Sequence, residues 1–422
     1  MYRTIRILFL FYFLLLHLPT AVAQPQPGDV FREYVWQPGL AREDGSFLRV
    51  GGKFDYQTYS DYFPADQHTN GYITLPHPID LDQATRAEVQ VERVQSHEGT
   101  RGLTISVNQE TPIDFPDSDS IPRPAYDYMR HDYPIASVPL EQLTADARNT
   151  FRLRVDTVQD WGWPQQLIYG VIFRVYYDDA KPHPTGSVTS PRAGSTLDTL
   201  VTLTAEATGP VPIRRVDYLG HYRDVNLEGD GIYRQWHYRF HHGELTDHIG
   251  AAATAPYRTT WNTRWVPDQS DPVQVAARIT DTTGLTYVTE AVDGLTLDRA
   301  DFSVELCPPY NQPKPWVTRS GEFTENFRIS GDLSQAQAYQ LVWVSWSPCY
   351  ANGLYVNEHL VFMREGPCYE YRHHELTFDD TRALQAGENS LTTGKTPLYQ
   401  GEMVHGMEVQ WPGIMVKVRY EE

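Results

Sequence analysis

Apolar and polar residues alternate with a period of two in many segments of this chain, and this pattern constrains the fold more than any other feature. Residues 87–94 read Ala-Glu-Val-Gln-Val-Glu-Arg-Val and residues 151–155 read Phe-Arg-Leu-Arg-Val. Successive side chains of a strand point to opposite faces, so this period is typical of half-buried β-strands. Other segments rich in β-branched or aromatic residues lie at 171–177, 201–205, 273–279, 340–346 and 414–420. No long segment shows helical periodicity, and residues 138–145 are the best candidate for one or two helical turns.

The composition agrees with a turn-rich β fold. Gly (29) and Pro (30) are frequent among the 422 residues, and the 41% of apolar residues is enough for a core, which excludes general disorder. Two Pro-containing segments, 178–186 and 307–315, interrupt the strands and indicate linkers. We therefore predict an all-β chain of three consecutive β-sandwich domains at 24–180, 183–300 and 301–422.

The first 23 residues indicate a secretory signal peptide. Arg3 and Arg6 precede an apolar run at 7–16, and Ala21-Val22-Ala23 forms a small-x-small cleavage pattern. A membrane anchor is the alternative, but the run is short for a span of about 20 residues, and no second segment approaches that length. We predict no membrane span and a secreted protein, extracellular or periplasmic, that is cleaved near Ala23.

The charge balance is acidic. The chain has 35 basic and 54 acidic residues, a net charge of −19, which becomes −21 when the two Arg of the signal peptide are removed. Such a field repels phosphate backbones, so nucleic-acid binding is not expected.

Three cysteines lie in the last third of the chain, Cys307, Cys349 and Cys368. In an oxidising compartment a pair would close, and Cys349 with Cys368 is favoured because these two flank a predicted strand at 354–364. Pairing of Cys307 with either of them, or three buried thiols, are the alternatives. No CxxC pair occurs, which argues against a cysteine-rich zinc site.

The middle block resembles a known family. Its segments read Ser-Val-Thr-Ser-Pro-Arg-Ala-Gly at 187–194, Val-Thr-Leu-Thr-Ala at 201–205, Trp-Asn-Thr at 261–263 and Val-Ala-Ala-Arg-Ile-Thr-Asp at 275–281. This order resembles the bacterial immunoglobulin-like domains of secreted and surface proteins, and the resemblance implies a seven-stranded sandwich that serves as a spacer or adhesive module. Residues 219–254 depart from it, because they form an expanded loop where such domains have a short hairpin.

The outer blocks share a second pattern. Gly-Leu-Thr-Ile-Ser-Val-Asn at 102–108 is followed by Asn-Thr-Phe-Arg-Leu-Arg-Val at 149–155, and Gly-Leu-Tyr-Val-Asn at 353–357 is followed by Gly-Glu-Asn-Ser-Leu at 387–391. Both blocks resemble jelly-roll sandwiches of the galactose-binding-domain type. The resemblance implies the domain order jelly roll, immunoglobulin-like, jelly roll, with sugar bound at loops on one end of a sandwich; the same fold also caps or joins catalytic domains.

The expanded loop holds candidate metal ligands. Asp224, Asn226 and Asp230 offer oxygen ligands around two glycines, which suits Ca²⁺, although the spacing is not that of an EF-hand and an ordinary acidic turn is the alternative. His237 and His241 could reach one transition metal if the strand bends. The alternative for this stretch is a long hairpin with one aromatic face packed on the sandwich.

Aromatic residues mark the candidate carbohydrate site. Trp161 and Trp163 lie in a Gly- and Pro-containing loop, and flat rings suit the C–H faces of sugars. Tyr128 and Trp236 are further candidates. One or both Trp of the loop could instead plug the end of the sandwich.

Catalytic candidates are less specific. Glu402, His405 and Glu408 could supply a general acid and a base, and the His373-His374-Glu375 run is a second candidate that could equally be an exposed strand edge. GxSxG, HExxH, Walker and GxGxxG motifs are absent from the sequence.

Three functional hypotheses follow. The first is an exported protein that binds a polysaccharide, another glycan or another surface polymer. The second is a polysaccharide-active hydrolase or lyase whose inter-domain site takes carboxylates and His from the third block or from the expanded loop. The third is a structural component of the cell surface. The oligomeric state stays open.

Overall fold

The computed structural model describes residues 24–38, 47–51, 68–69, 72–95, 99–156, 165–318, 321–363, 366, 368, 370–394 and 406–421. Strands dominate these segments, and the prediction of an all-β fold is confirmed. The helical elements described are 3-10 turns at Ala125–Asp127, Leu140–Gln142, Leu333–Gln335, Pro348–Tyr350 and Thr381–Ala383. Within the described part of the chain, no helix is both long and apolar enough to cross a membrane.

The first sandwich packs two antiparallel sheets around one core. Its strands are β1 (Val30–Trp36), β2 (Leu48–Gly51), β3 (His68–Thr69), β4 (Tyr72–Thr74), β5 (Ala84–Gln95), β6 (Arg101–Val107), β7 (Ile113–Asp114), β8 (Arg130–Asp132), β9 (Ile135–Val138), β10 (Thr150–Asp156) and β11 (Gln165–Tyr177). One sheet runs β1-β11-β5, with β8 and β9 both paired to β5 and β2 paired to β11, and the other runs β3-β4-β10-β6-β7.

The middle sandwich contains a sheet β12-β14-β20 and a second sheet in which β15, β22 and β23 all pair with β21. Its strands are β12 (Thr185–Ser190), β13 (Thr196–Leu197), β14 (Leu200–Thr208), β15 (Ile213–Arg223), β16 (Arg234–His237), β17 (Arg239–His241), β18 (Glu244–Thr246), β19 (Gly250–Ala252), β20 (Thr259–Asn262), β21 (Val273–Asp281), β22 (Leu285–Val288) and β23 (Val292–Leu297). β22 also pairs with β1, so the sheets of the first two sandwiches are continuous.

The third sandwich consists of two sheets, β24-β32-β26-β29 and β25-β30-β27-β28. Its strands are β24 (Phe302–Cys307), β25 (Phe323–Ile329), β26 (Ala336–Trp346), β27 (Leu354–Val356), β28 (His359–Phe362), β29 (Tyr371–Phe378), β30 (Gly387–Thr393), β31 (Glu408–Val409) and β32 (Met415–Glu421). Without the short β31, this domain has eight main strands. Numbered in chain order, they are arranged 1-8-3-6 in one sheet and 2-7-4-5 in the other. The first sandwich has the same order, β1-β11-β5-β9 and β4-β10-β6-β7, which is the double Greek key of a jelly roll.

A pair of asparagines has the same structural role in both jelly rolls. Asn108 and Asn357 end the fourth main strand with φ angles of 48° and 51°. Asn108 Nδ2 donates to Asn149 Oδ1 at 2.6 Å, and Asn357 Nδ2 donates to Asn389 Oδ1 at 2.9 Å. These bonds satisfy buried polar groups at equivalent turns, so the repeated pattern in the sequence reflects one repeated turn structure.

The expanded loop at 219–254 is largely folded into strands. Its first residues continue β15 to Arg223, and β16 to β19 follow. The side chains of Trp236, Tyr238 and Phe240 are buried against Ile172 and Tyr176 of the first sandwich. The predicted packing of an aromatic face is therefore present, but this face packs on a neighbouring domain. We call residues 224–249 the insertion.

The insertion also explains a wrong detail of the strand prediction. The alternation in β5 predicts one exposed polar face, yet Glu88, Gln90 and Glu92 are at most 2% exposed. The aromatic side chains of the insertion cover this face of the sheet. Arg174 of the adjacent strand compensates the charge of Glu88 and donates to Gln90 Oε1 at 3.1 Å.

Candidate binding cleft at the junction of the three sandwiches

A cleft of about 430 Å³ opens where the insertion meets the third sandwich, above the covered face of β5. Residues of β17, β18 and the turns next to them form one wall, and the start of β29 forms the other. The lining side chains are Arg239, His241, His242, Thr246, Asp247, Glu370, Tyr371, Arg372 and His373. We call this space the junction cleft.

The β17–β18 hairpin places its histidines through an unusual turn. His241 pairs with Glu244, so His242 and Gly243 form a two-residue loop with φ angles of 50° and 77°. Positive φ at both positions defines a type I′ turn, whose twist matches that of the flanking strands. A Cβ on Gly243 would fall well inside 3.0 Å of Val35 Cγ1, so the turn fits against the first sandwich only with glycine there.

A chain of hydrogen bonds runs from the first sandwich to the cleft. Gly243 N donates to Glu92 Oε2 at 3.3 Å, and the Tyr371 hydroxyl donates to Glu92 Oε1. The same hydroxyl lies 2.5 Å from His241 Nδ1. Glu92 and Tyr371 are both buried, whereas His241 is exposed at the cleft. Burial raises the pKa of Glu92 to about 7, although the bonds from Tyr371 and Gly243 oppose this shift.

Further imidazoles surround Tyr371. His131 stacks on its ring with centroids 4.1 Å apart, and His373 approaches His131 edge-on at 5.2 Å. Burial holds the pKa of His131 well below its usual value, and burial with the neighbouring His241 lowers that of His242 to about 4. Burial and the Arg239 charge also lower the pKa of His241. These three imidazoles are therefore neutral at neutral pH.

Polar atoms at the cleft have unused hydrogen-bonding capacity. Arg239 is 9% exposed and its Nε binds Asp247, but its Nη1 has no hydrogen-bond partner among the described residues. Neither ring nitrogen of His373 has a partner in the same part of the chain. A buried donor without a partner costs about 1–3 kcal/mol, so a ligand that offers oxygen acceptors here recovers that energy.

Two of the four aromatic residues predicted to bind sugar lie in the described part of the chain, and both are buried. Trp161 and Trp163 lie outside the described residues. Tyr128 is buried with its ring 6.3 Å from that of Trp411, and Trp236 is buried in the contact with the first sandwich. The rings of Tyr128 and Trp236 thus stabilise domain contacts and present no open face to solvent.

Among the predicted catalytic residues that the structure describes, only His373 lines the cleft. Glu402 and His405 lie outside the described residues. Glu408 is buried in β31, opposite Trp346 of β26, and does not line the junction cleft. His373, from the second predicted group, does line it, whereas His374 is buried with its ring stacked on Trp343.

The predicted calcium ligands bind groups within the protein. Asp224 Oδ1 lies 2.6 Å from Lys417 Nζ, and Asn226 Nδ2 donates to Asp230 Oδ1 at 2.7 Å. No group of three or more His, Cys, Asp or Glu side chains is placed to hold a metal ion among the residues the structure covers. The calcium site stays a prediction.

The proposed histidine pair is likewise divided. His237 Nε2 lies 2.8 Å from the Tyr222 carbonyl oxygen, while His241 binds Tyr371. The two rings thus have separate structural partners.

The cysteine pair lies beside the cleft. Cys349 and Cys368 form a disulfide with Cα atoms 5.2 Å apart, which is the pairing that the sequence favoured. Cys307 is free and buried, and burial raises the pKa of its thiol. The disulfide holds the chain just before Glu370 and Tyr371, which are cleft residues.

Sequence reasoning missed Glu92, Arg239 and Tyr371 as site residues. The His242-Gly243 pair between short alternating segments was the one available signal, because a residue–Gly pair is typical of a type I′ turn. Nothing in the sequence marks Glu92 as a site residue, because it occupies a polar position in the ordinary alternation of a β-strand.

The comparisons with known proteins agree with the fold of the middle domain. Residues 184–275 match the model of a bacterial Ig domain, which confirms that resemblance for this segment. No curated protein sequence matches the chain.

Several solved structures show distant likeness. Fibronectin(III)-like modules of CbhA from Clostridium thermocellum are 14% identical, with 27% of this chain and 96% of that chain covered and a TM-score of 0.18. A β-porphyranase of glycoside hydrolase family 86 from Bacteroides plebeius is 11% identical over 59% of this chain, which spans 38% of that enzyme, with a TM-score of 0.23. A DUF4785 family protein from Legionella pneumophila is 9% identical, with 94% and 85% coverage and a TM-score of 0.24. Similarities this distant carry no functional argument.

Proposed function

We propose that this protein is an exported glycan-binding protein and that the junction cleft is its ligand site. The observation that carries the proposal is the unpartnered Nη1 of Arg239 beside the unpartnered ring nitrogens of His373. A sugar is rich in hydroxyl and ring oxygens, and can satisfy such groups together. Export is supported by the sequence pattern of residues 1–23.

The unpartnered edge of the Arg239 guanidinium favours a sugar that carries an acidic group. Asp247 binds one edge of the Arg239 guanidinium and leaves Nη1 for a second acceptor. Arg372 adds a second guanidinium to the lining and Glu370 a second carboxylate, while the lowered pKa of His242 keeps its imidazole neutral. A carboxylate on the glycan matches a guanidinium in shape and charge. We therefore propose uronate-containing glycans as the ligand class.

Glycan binding by the chain from residue 24 onwards tests the proposal. Arrays and calorimetry should show binding to uronate-containing glycans, and Arg239→Gln should weaken it about 10- to 100-fold, because a charged hydrogen bond of about 1.5–3 kcal/mol is lost. Asp247→Asn is the matched control: it breaks the same ion pair but keeps the guanidinium, so binding should persist. Equal losses in both variants, or no binding by the wild type, would refute the assignment.

The same assay tests the aromatic prediction. Trp161→Ala and Trp163→Ala should weaken binding if that loop extends the sugar site. The reason is that the apolar C–H face of a sugar gains affinity by stacking on an aromatic ring. Unchanged affinity in both variants would leave Arg239 and His373 as the site and remove the Trp loop from it.

A further inference from the structure

We propose that the junction cleft cleaves its glycan by β-elimination, with His241 as the catalytic base. The inference rests on the proposed binding of uronate-containing glycans. It follows from the order of hydrogen bonds beneath the cleft, and from the cation beside it.

The hydrogen-bond chain fixes the tautomer of His241. When Glu92 is ionised, the Tyr371 hydroxyl gives its proton to Glu92 and has only lone pairs for His241. His241 Nδ1, 2.5 Å from that oxygen, must therefore carry the proton and donate it. The other ring nitrogen, Nε2, is then unprotonated on an exposed ring at the cleft, which is the state a general base requires.

The Glu92–Tyr371–His241 hydrogen-bond chain, which we call the relay, is built from all three domains. Glu92 belongs to the first sandwich, Tyr371 to the third, and His241 to the insertion of the middle domain. The Tyr133 hydroxyl also donates to the Phe240 carbonyl at 2.7 Å, which fixes the backbone next to His241. Tyr371 and Glu92 are thus positioning residues, because they act on the substrate only through the imidazole.

Arg239 supplies the second requirement of the reaction. Abstraction of a proton from the carbon next to a carboxylate builds negative charge on that carboxylate, and a guanidinium bound to it stabilises the charge. Arg239 lines the same cleft as His241, and its charge acts on that ring. The group that recognises the uronate is therefore also placed to stabilise the intermediate.

The chemical step is balanced without a co-reactant. His241 Nε2 takes the proton from C5 of the uronate, and the C5–H electron pair forms a C4=C5 double bond. The C4–O glycosidic bond breaks with its electrons on the leaving oxygen, which takes the proton back from the His241 imidazolium. The products are a chain with an unsaturated non-reducing end and a chain whose new reducing end keeps the glycosidic oxygen as its anomeric hydroxyl group.

Hydrolysis is less well matched by the same residues. A glycosidase places a carboxylic acid and a carboxylate on either side of the bond. Here Asp247 is bound to Arg239, Glu92 lies beneath Tyr371, and Glu370 Oε2 lies 3.8 Å from His242 Nε2. The exposed group with a free basic nitrogen is the imidazole of His241.

The test is turnover on polygalacturonate, alginate, chondroitin and hyaluronan, followed by the absorbance of unsaturated ends and by new reducing ends. Wild type should produce both signals together on at least one polymer. His241→Asn should lower kcat by at least about 100-fold, while Kd for the same polymer changes by less than about threefold. His359→Asn, at an exposed position on β28, is the matched control and should retain full turnover.

The positioning role has its own measurement. Tyr371→Phe removes the oxygen that fixes His241 and should lower kcat at least about tenfold with KM nearly unchanged. A rise in KM with kcat preserved would contradict the relay.

The remaining outcomes separate the two proposals. Reducing ends without unsaturated ends would show hydrolysis and overturn the elimination, as would full turnover in His241→Asn. Binding of these polymers without any turnover would overturn the inference and leave the proposed function intact. Absence of binding by wild type would overturn the proposed function itself.

Discussion

Replacing Gly243 with alanine should separate the β17–β18 hairpin from the first sandwich. Gly243 has a φ angle of 77°, and an alanine in this left-handed conformation costs about 1–2 kcal/mol. The new Cβ would also overlap Val35 Cγ1, and overpacking of this kind costs about 1–3 kcal/mol. The free energy of unfolding should therefore fall by about 2–5 kcal/mol.

Gly194→Ala is the matched control. Gly194 has nearly the same backbone conformation, with a φ angle of 73°, but a Cβ there would meet no heavy atom within 4 Å. It should cost only the conformational part, about 1–2 kcal/mol. Adding Val35→Ala to Gly243→Ala removes the overlapping methyl group. In a double-mutant cycle, this change should therefore restore most of the stability that Gly243→Ala loses beyond the loss in Gly194→Ala.

Denaturant unfolding gives the total loss, and amide hydrogen exchange of β17 and β18 shows where it falls. We expect faster exchange in this hairpin for Gly243→Ala and unchanged exchange there for Gly194→Ala. Glycan binding should weaken in parallel, because the hairpin carries Arg239 and His241. Equal losses of stability at the two glycines, with no rescue by Val35→Ala, would refute the docking argument.

Two further predictions concern the surroundings of the cleft. Glu92 has a pKa of about 7 in the folded protein against 4.5 unfolded, so the folded state binds the extra proton and its stability falls as pH rises from about 4.5 to 7. The free energy of unfolding of Glu92→Gln, measured by denaturant, should therefore rise relative to that of wild type by up to about 3 kcal/mol between pH 5 and pH 8. A constant difference across that range would contradict the raised pKa. Replacing Cys349 and Cys368 together by serine opens a loop with a sequence separation of 19 and should cost about 3 kcal/mol, seen as a lower Tm. The melting temperature of wild type should fall similarly on reduction, and a reduction-insensitive Tm would show that the bond does not form in solution.

The strands and the repeated turns were predictable because their causes are local. The alternation at 87–94 and 151–155 reports side chains on two faces of one strand, and both segments are strands in the structure. The Asn108 and Asn357 patterns were visible for the same reason, since each asparagine bonds a turn of its own domain. The immunoglobulin-like segment also has a local order of strands and turns that a family model matches.

The burial of the polar face of β5 could not be predicted from the sequence. Its period correctly indicates a strand, but period alone does not tell what covers the polar face. Glu92 was expected at solvent, and an insertion more than a hundred residues away in sequence covers it instead.

Local sequence thus determined an all-β chain with two similar outer domains, an immunoglobulin-like segment between them and an enlarged connection after residue 218. The tertiary structure alone decided what that connection does. Glu92 and Tyr371 are 279 residues apart in sequence and Tyr371 and His241 are 130 apart, yet they form one chain of hydrogen bonds. Only packing of all three sandwiches brings such distant side chains together and removes the water that would otherwise separate them, and so the candidate site exists only in the folded assembly of domains.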